Sequence, residues 1–234
     1  MNRLLQRLDG WAEKSRLNPY RLLVMPHPTL TGEDRAAFDR LLAATPEGGE
    51  IAYDLPQPKW WFLHHEIQSG LLLHGTNEGG LEELGTRAND DAYGAPVDAL
   101  FASDDAIWPL YFATVRRAGL RHGYINWAVH VRGASRYVFS IGADPADPGS
   151  WSDGTIYLLP GASFRRTRMS RELVSDVPVR PRARLRVTPG DFPFRDRTLE
   201  HHEGDTPMRV VLRNALRPAH RRASAGRERT ALDR

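Results

Sequence analysis

The chain has no cysteine. That excludes disulfides, thiolate metal sites and cysteine nucleophiles together. It has no apolar run long enough to span a bilayer. The opening Met1-Asn2-Arg3-Leu4-Leu5 does not lead into a long apolar stretch closed by small residues, so no signal peptide is read there. The expectation is a soluble, cytoplasmic protein without membrane contact. The glycine patterns of nucleotide-binding folds are also missing. Gly79, Gly80 and Gly85 lack the dinucleotide-fold spacing, and no Gly-Lys-Ser or Gly-Lys-Thr follows them. No helical His-Glu-x-x-His occurs. His64-His65-Glu66 and His201-His202-Glu203 put neighbours on different helix faces, so both are read as surface or boundary residues, and no metal is expected. No serine sits in a Gly-x-Ser-x-Gly elbow.

What is present is a chain of 234 residues, 41 % of them apolar, enough for one full-size domain or a domain with an added segment. The formal charge of +3 is unevenly placed: from Arg217 to Arg234 six arginines face two acids, and the body is near neutral. This tail, 217–234, reads as a solvated, disordered end. Contact with nucleic acid is its sharper alternative.

Leu4, Leu5, Leu8 and Trp11 predict a helix over 3–15. Thr31-Gly32-Glu33 starts a second over 33–44, and a third follows Pro58 through Trp60, Trp61, Leu63 and Ile67. Residues 1–69 therefore read as a mostly helical lead-in, with a strand open at Leu22–Met25. The character then changes. Leu71–His74 and Asp98–Ala102 are short apolar strands. A helix with Ile107, Leu110, Tyr111, Ala113 and Val115 follows, capped by Ser103 or Asp105, with Pro109 tolerated in its first turn. Strands are expected at Tyr124–Val131, Arg136–Ile141, Thr155–Leu159, Glu172–Val177 and Arg182–Val187. Helices followed by runs of short strands point to an α+β fold.

Three segments stand out. A histidine ends an apolar strand at Leu72-Leu73-His74-Gly75-Thr76, where glycine lets a ligand reach backbone N–H and C=O groups. Leu100-Phe101-Ala102 leads into a helix with Tyr111 eleven positions on. Glu172 opens the strand Glu172-Leu173-Val174 after a polar loop. Each alone is an ordinary core or strand-end feature. In this order they resemble the ADP-ribosyltransferase superfamily, in its His-Tyr-Glu branch of diphtheria-toxin-like enzymes and poly(ADP-ribose) polymerases, over roughly residues 70–190. Leu100 stands where that branch has its middle tyrosine, and a one-residue slip brings Phe101 there. Ser170, two before the glutamate, departs from the Glu or Gln of arginine- and asparagine-modifying toxins, so arginine is not expected as acceptor.

The resemblance implies split antiparallel β-sheets with flanking helices over 70–216, after the 1–69 lead-in. It implies NAD as co-substrate and a protein or nucleic-acid acceptor, in the manner of a bacterial toxin. His74 would hold a ribose hydroxyl, the Gly75 backbone would clamp the nicotinamide amide, and Thr76 would support the strand end. Leu100 and Phe101 would line the site, and Tyr111 would stack on the nicotinamide ring. Glu172, with His74 the catalytic pair, would bind the nicotinamide ribose and stabilise its developing cation. Three alternatives stay open. One is a non-catalytic module of the same fold. Another is an NAD-using RNA 2′-phosphotransferase relative, with Arg165, Arg166 and Arg168 as part of its basic set. The third is an interaction protein with no small-molecule ligand.

Overall fold

The computed structural model describes residues 22–24, 27–90, 96–131, 134–166 and 172–216. In chain order the elements are β1 (Leu23–Val24), α1 (Gly32–Ala44), β2 (Gly49–Glu50), α2 (Lys59–Gln68), β3 (Leu71–Thr76), β4 (Arg87–Asp90) and β5 (Pro96–Ser103). There follow α3 (Trp108–Thr114), β6 (Tyr124–Val131), β7 (Ala134–Ile141), β8 (Gly154–Pro160), β9 (Arg165–Arg166), β10 (Glu172–Ser175), β11 (Ala183–Val187), β12 (Leu199–Glu200) and α4 (Pro207–Leu216). The described chain is thus α+β, with four α-helices. The helix expected over 3–15, Arg168 and the basic tail 217–234 lie outside the described residues.

Two units divide the chain. One holds 27–121 and 143–197, the other 1–26, 122–142 and 198–234. Residue 69, where the sequence changes character, falls inside the larger unit: α1 and α2 belong to the same unit as β3, and α2 packs on that strand.

In the larger unit, Thr31 starts α1. Its hydroxyl accepts from the Asp34 amide, and the Asp34 carboxylate accepts from the Thr31 amide and hydroxyl, a reciprocal cap that satisfies orphan donors. At the other end the Arg182 guanidinium donates to the Leu42 and Thr45 carbonyls. Phe38 of α1 and Phe62 of α2 are fully buried and meet edge to face at 5.7 Å. Such a pair contributes about 0.5–1.5 kcal/mol beyond its area.

The sheet of this unit runs β2-β11-β8-β3-β5-β10-β9, with β4 also pairing β5. Its ladders are antiparallel except the parallel β2–β11 pair. The apolar run of β8 is buried on both faces. One face packs Leu72, Leu84, Leu100, Ala102, Tyr157, Leu159 and Val179. The segment after β3 folds over that face: Leu84 and Val179 exchange backbone hydrogen bonds, and the Tyr157 hydroxyl accepts from the Leu81 amide and donates to the Glu78 carbonyl. On the other face α3 comes so near that side chains are excluded beneath it. A Cβ at Gly75 would collide with the Pro109 carbonyl oxygen, and one at Gly154 with that of Ala113. Asp105 starts this helix by accepting from the Ile107 and Trp108 amides.

In the smaller unit, β6 and β7 pair along eight residues each, and β1 (antiparallel) and β12 (parallel) share the other edge of β7. Helix α4, not among the expected helices, buries Val210 and Val211 with Leu22 and Val138. His201 is buried here. Its Nε2 donates to the His122 carbonyl and its Nδ1 accepts from the Ser140 hydroxyl, both at 3.0 Å.

The surface reading of the histidine pairs is corrected at three positions, since His65 and Glu66 in the larger unit are buried as well. No helix among the described residues is long and apolar enough to cross a membrane.

Candidate functional site

The site is organised by the place where β3 and β5 part. Leu73 is opposite Ser103, and this is the one registered pair the two strands make. In a continued antiparallel ladder His74 would face Ala102 and Gly75 would pair with Phe101. That ladder does not form. Instead the Phe101 carbonyl lies 2.7 Å from Nδ1 of His74. A carbonyl only accepts, so Nδ1 carries the proton. The imidazole takes the acceptor that a longer ladder would have given to the Gly75 amide.

Hydrogen-bond direction along β3 follows from its other neighbour. The Leu158 carbonyl accepts from the Arg182 amide, so the polar groups of Leu158 face β11. Alternation then turns those of Tyr157 toward its partner His74, and those of Thr155 toward Thr76. The N–H and C=O of Leu73 and Gly75 face the opposite way, toward β5. Leu73 meets Ser103, whereas Gly75 has no ladder partner among the described residues. One residue thus offers a donor and an acceptor side by side at the mouth of a split.

His74 is partly buried. Burial pushes its imidazole below the ordinary histidine value, and the Phe101 carbonyl opposes this. The nearby Arg117 and Arg87 charges depress it further, and Glu78 counters them. A neutral ring with Nδ1 protonated leaves Nε2 as a hydrogen-bond acceptor. Thr76 is buried, and its hydroxyl accepts from the Glu78 amide at 3.1 Å. Asn77 ties the end of β3 to α3 by donating to the Ala113 carbonyl at 2.7 Å.

Glu172 heads β10 opposite Ser103, the residue that also faces Leu73 from the other edge of β5. The register brings the β3 split and the start of β10 within two strand spacings, roughly 10 Å.

Two of the expected site residues have their side chains in the core. Tyr111 is fully buried beneath the sheet, its ring packed against Phe112 and Phe192, with no face open to a ligand. Leu100 is a core residue, 4 % exposed in the cluster with Leu72 and Tyr157. Phe101 is partly buried, and the contact it makes at the split is through its carbonyl. Gly75 has a second role that the sequence did not show, since its missing side chain makes room for α3.

Arg87, Glu78 and Arg117 were not singled out from the sequence. Glu78 and Arg87 lie in the segment that follows β3, and Arg117 follows α3. Arg87 holds Glu78 in an ion pair at 2.9 Å. No group of three or more His, Asp or Glu side chains is placed to hold a metal among the described residues. Comparison of the chain with protein-family models, curated proteins and solved structures finds no match.

Proposed function

We propose that this protein is an NAD-dependent ADP-ribosyltransferase of the His-Tyr-Glu type, its sheet split between β3 and β5 serving as the nucleotide cleft. The observation that carries the reading is the backbone of Gly75, which faces β5 two residues beyond the last β3–β5 pair and has no registered ladder partner among the described residues. A nicotinamide carboxamide has the complementary acceptor and donor in one plane, so a single strand residue can grip it with two hydrogen bonds. Beside it, the Nε2 lone pair of neutral His74 suits a ribose hydroxyl as donor.

The chemistry follows from those contacts. The bond between nicotinamide nitrogen and ribose breaks, its electron pair leaves with nicotinamide, and a planar ribose cation develops. Glu172 supplies the negative charge that stabilises this cation and orients the ribose hydroxyl. An acceptor nucleophile then bonds to the ribose carbon and releases its proton. A fixed charge of this kind is worth on the order of 100- to 1000-fold in rate. The acceptor is a protein or nucleic acid, and the setting is cytoplasmic.

Incubation with labelled NAD and cell lysate, beside Glu172→Gln, tests the reading. The expected result is nicotinamide release with label on macromolecule, lost in the variant while the far-ultraviolet circular dichroism is kept. Full turnover by Glu172→Gln sinks it. A second reading, a module that binds NAD without turning it over, is favoured by the burial of Leu100 and Tyr111, which leaves the ring-stacking positions empty of exposed aromatics. Thermal stabilisation by NAD with no nicotinamide release selects that reading.

A further inference from the structure

We infer that α4 and the basic run after it dock on an anionic lipid bilayer, with Leu212 and Leu216 entering its surface. The inference stands apart from the cleft proposed above and concerns the smaller unit alone.

Helix α4 is fixed at its start. The Thr206 hydroxyl accepts from the Arg209 amide at 3.3 Å, and Pro207 takes the first helical position, where no donor is needed. The Asp205 carboxylate accepts from the His202 amide at 2.9 Å and from the Arg213 guanidinium at 2.6 Å. Val210 and Val211 are then set into the core with Leu22 and Val138. The helix is apolar over a wider arc than this core covers. Met208, Leu212 and Leu216, four positions apart, form a second row turned away from Val210 and Val211. Met208 is half-buried, Leu212 is 46 % exposed and Leu216 is 82 % exposed. Among the described residues this is the one helix that exposes two large apolar side chains.

Charge selects the occupant. Arg209 is exposed beside the row. Past Leu216 the next arginines are Arg217, Arg221, Arg222 and Arg227, all before the first acid, Glu228. A second copy of the chain would bury the leucines but set these arginines against their equals. Nucleic acid would take the arginines and leave the leucines in water. An anionic bilayer uses both: the leucines enter the boundary between headgroups and acyl chains, and the guanidiniums pair with anionic headgroups. One such signal gives marginal binding, and two together give a stable hold. This is contact without crossing, since no helix among the described residues is long and apolar enough to span a bilayer. It narrows the sequence expectation of no membrane contact to one of no crossing.

Co-sedimentation of the full chain with vesicles tests this. The probes are vesicles of phosphatidylcholine alone and vesicles in which roughly one lipid in three is phosphatidylserine. The chain partitions into the anionic vesicles about tenfold better or more, and rising salt weakens it. Leu216→Ala weakens partitioning by about tenfold, as removal of methylene groups from the bilayer requires. Leu216→Trp keeps it, because indole suits the interface. Arg221→Gln combined with Arg222→Gln weakens it by roughly 25-fold, about fivefold for each charge near an anionic surface. Equal uptake by the two kinds of vesicle, or uptake by neither, overturns the inference. So does unchanged partitioning in the Leu216→Ala or the arginine variant. A loss in Leu216→Trp as large as that in Leu216→Ala overturns it too, since it reports a damaged helix and not a lost bilayer contact. Two further results hand the face to another occupant: a short DNA duplex that binds the parent and Leu216→Ala alike without vesicle uptake, or a dimer in light scattering that Leu216→Ala makes monomeric without vesicle uptake.

Discussion

His74 does two things with one ring. It occupies the Phe101 carbonyl through Nδ1, at the place where β3 and β5 part, and with Nδ1 protonated its Nε2 is an acceptor. Replacing it with alanine therefore removes more than one contact. The freed carbonyl becomes available to the Gly75 amide, and the strands can zip one pair further. His74→Ala is expected to weaken NAD by more than the roughly tenfold that a single neutral hydrogen bond provides. Titration with a non-hydrolysable NAD analogue measures this, and unchanged affinity reduces His74 to a structural residue. The sequence showed the histidine, the glycine and their order with Glu172, because strand ends and apolar runs are local. It did not show that Tyr111 of α3 is buried against Phe192, or that Arg87 and Arg117 both act on the His74 imidazole. Those facts depend on packing between segments distant in the chain, which periodicity does not encode.

At the scale of elements, the register of the cleft depends on how tightly α3 sits on β3 and β8. Gly75 and Gly154 are the contact points, with the Pro109 and Ala113 carbonyls above them. A methyl group at Gly75 forces the helix away from the strand. Gly75→Ala is expected to lower stability by about 1–3 kcal/mol, the usual range for overpacking. Urea melts monitored by tryptophan fluorescence check this. A variant as stable as the parent shows that the helix can shift freely. Most elements longer than four residues were legible from pattern: Thr31 marks α1, and the continuous apolar runs of β3 and β8 mark strands buried in the sheet. β9 and β12 were not, being two residues long with no period to read. Nor was α4 read from the sequence, although its apolar and polar residues segregate clearly between two faces, with Val210, Val211 and Asn214 buried. The pairs His64-His65 and His201-His202 misled for a related reason. Adjacent residues on an element face different ways, so one of each pair can be core while its neighbour is not.

For the larger unit as a whole, one carboxyl sets a pH dependence of stability. Glu66 is 2 % exposed, and its Oε1 has no hydrogen-bond partner among the described residues. Burial pushes its pKa up to about 7, the Asp39 charge adds to the rise, and Arg182 opposes it. The unfolded chain releases this proton near 4.5, whereas the folded chain keeps it to about 7. The folded state thus binds the extra proton between those values, and stability declines as pH rises through that window. The span corresponds to about 3 kcal/mol. Glu66→Gln is expected to flatten the decline, with its largest relative gain at pH 8 and little effect at pH 4.5. Denaturant melts across that range decide it. A parent protein equally stable at both ends would mean that water or a local rearrangement satisfies the carboxylate.

The parted strands also leave a kinetic signature. His74 and Thr76 present their amides to β8, while the amide between them, that of Gly75, faces the split. In hydrogen–deuterium exchange of the free protein, β3 should therefore show an odd–even pattern, with Gly75 exchanging fast between two slow neighbours. A ligand that grips the Gly75 amide would erase the alternation. One backbone proton, read by NMR, thus reports occupancy of the cleft without any turnover, and separates a protein that holds its ligand from one that never binds it.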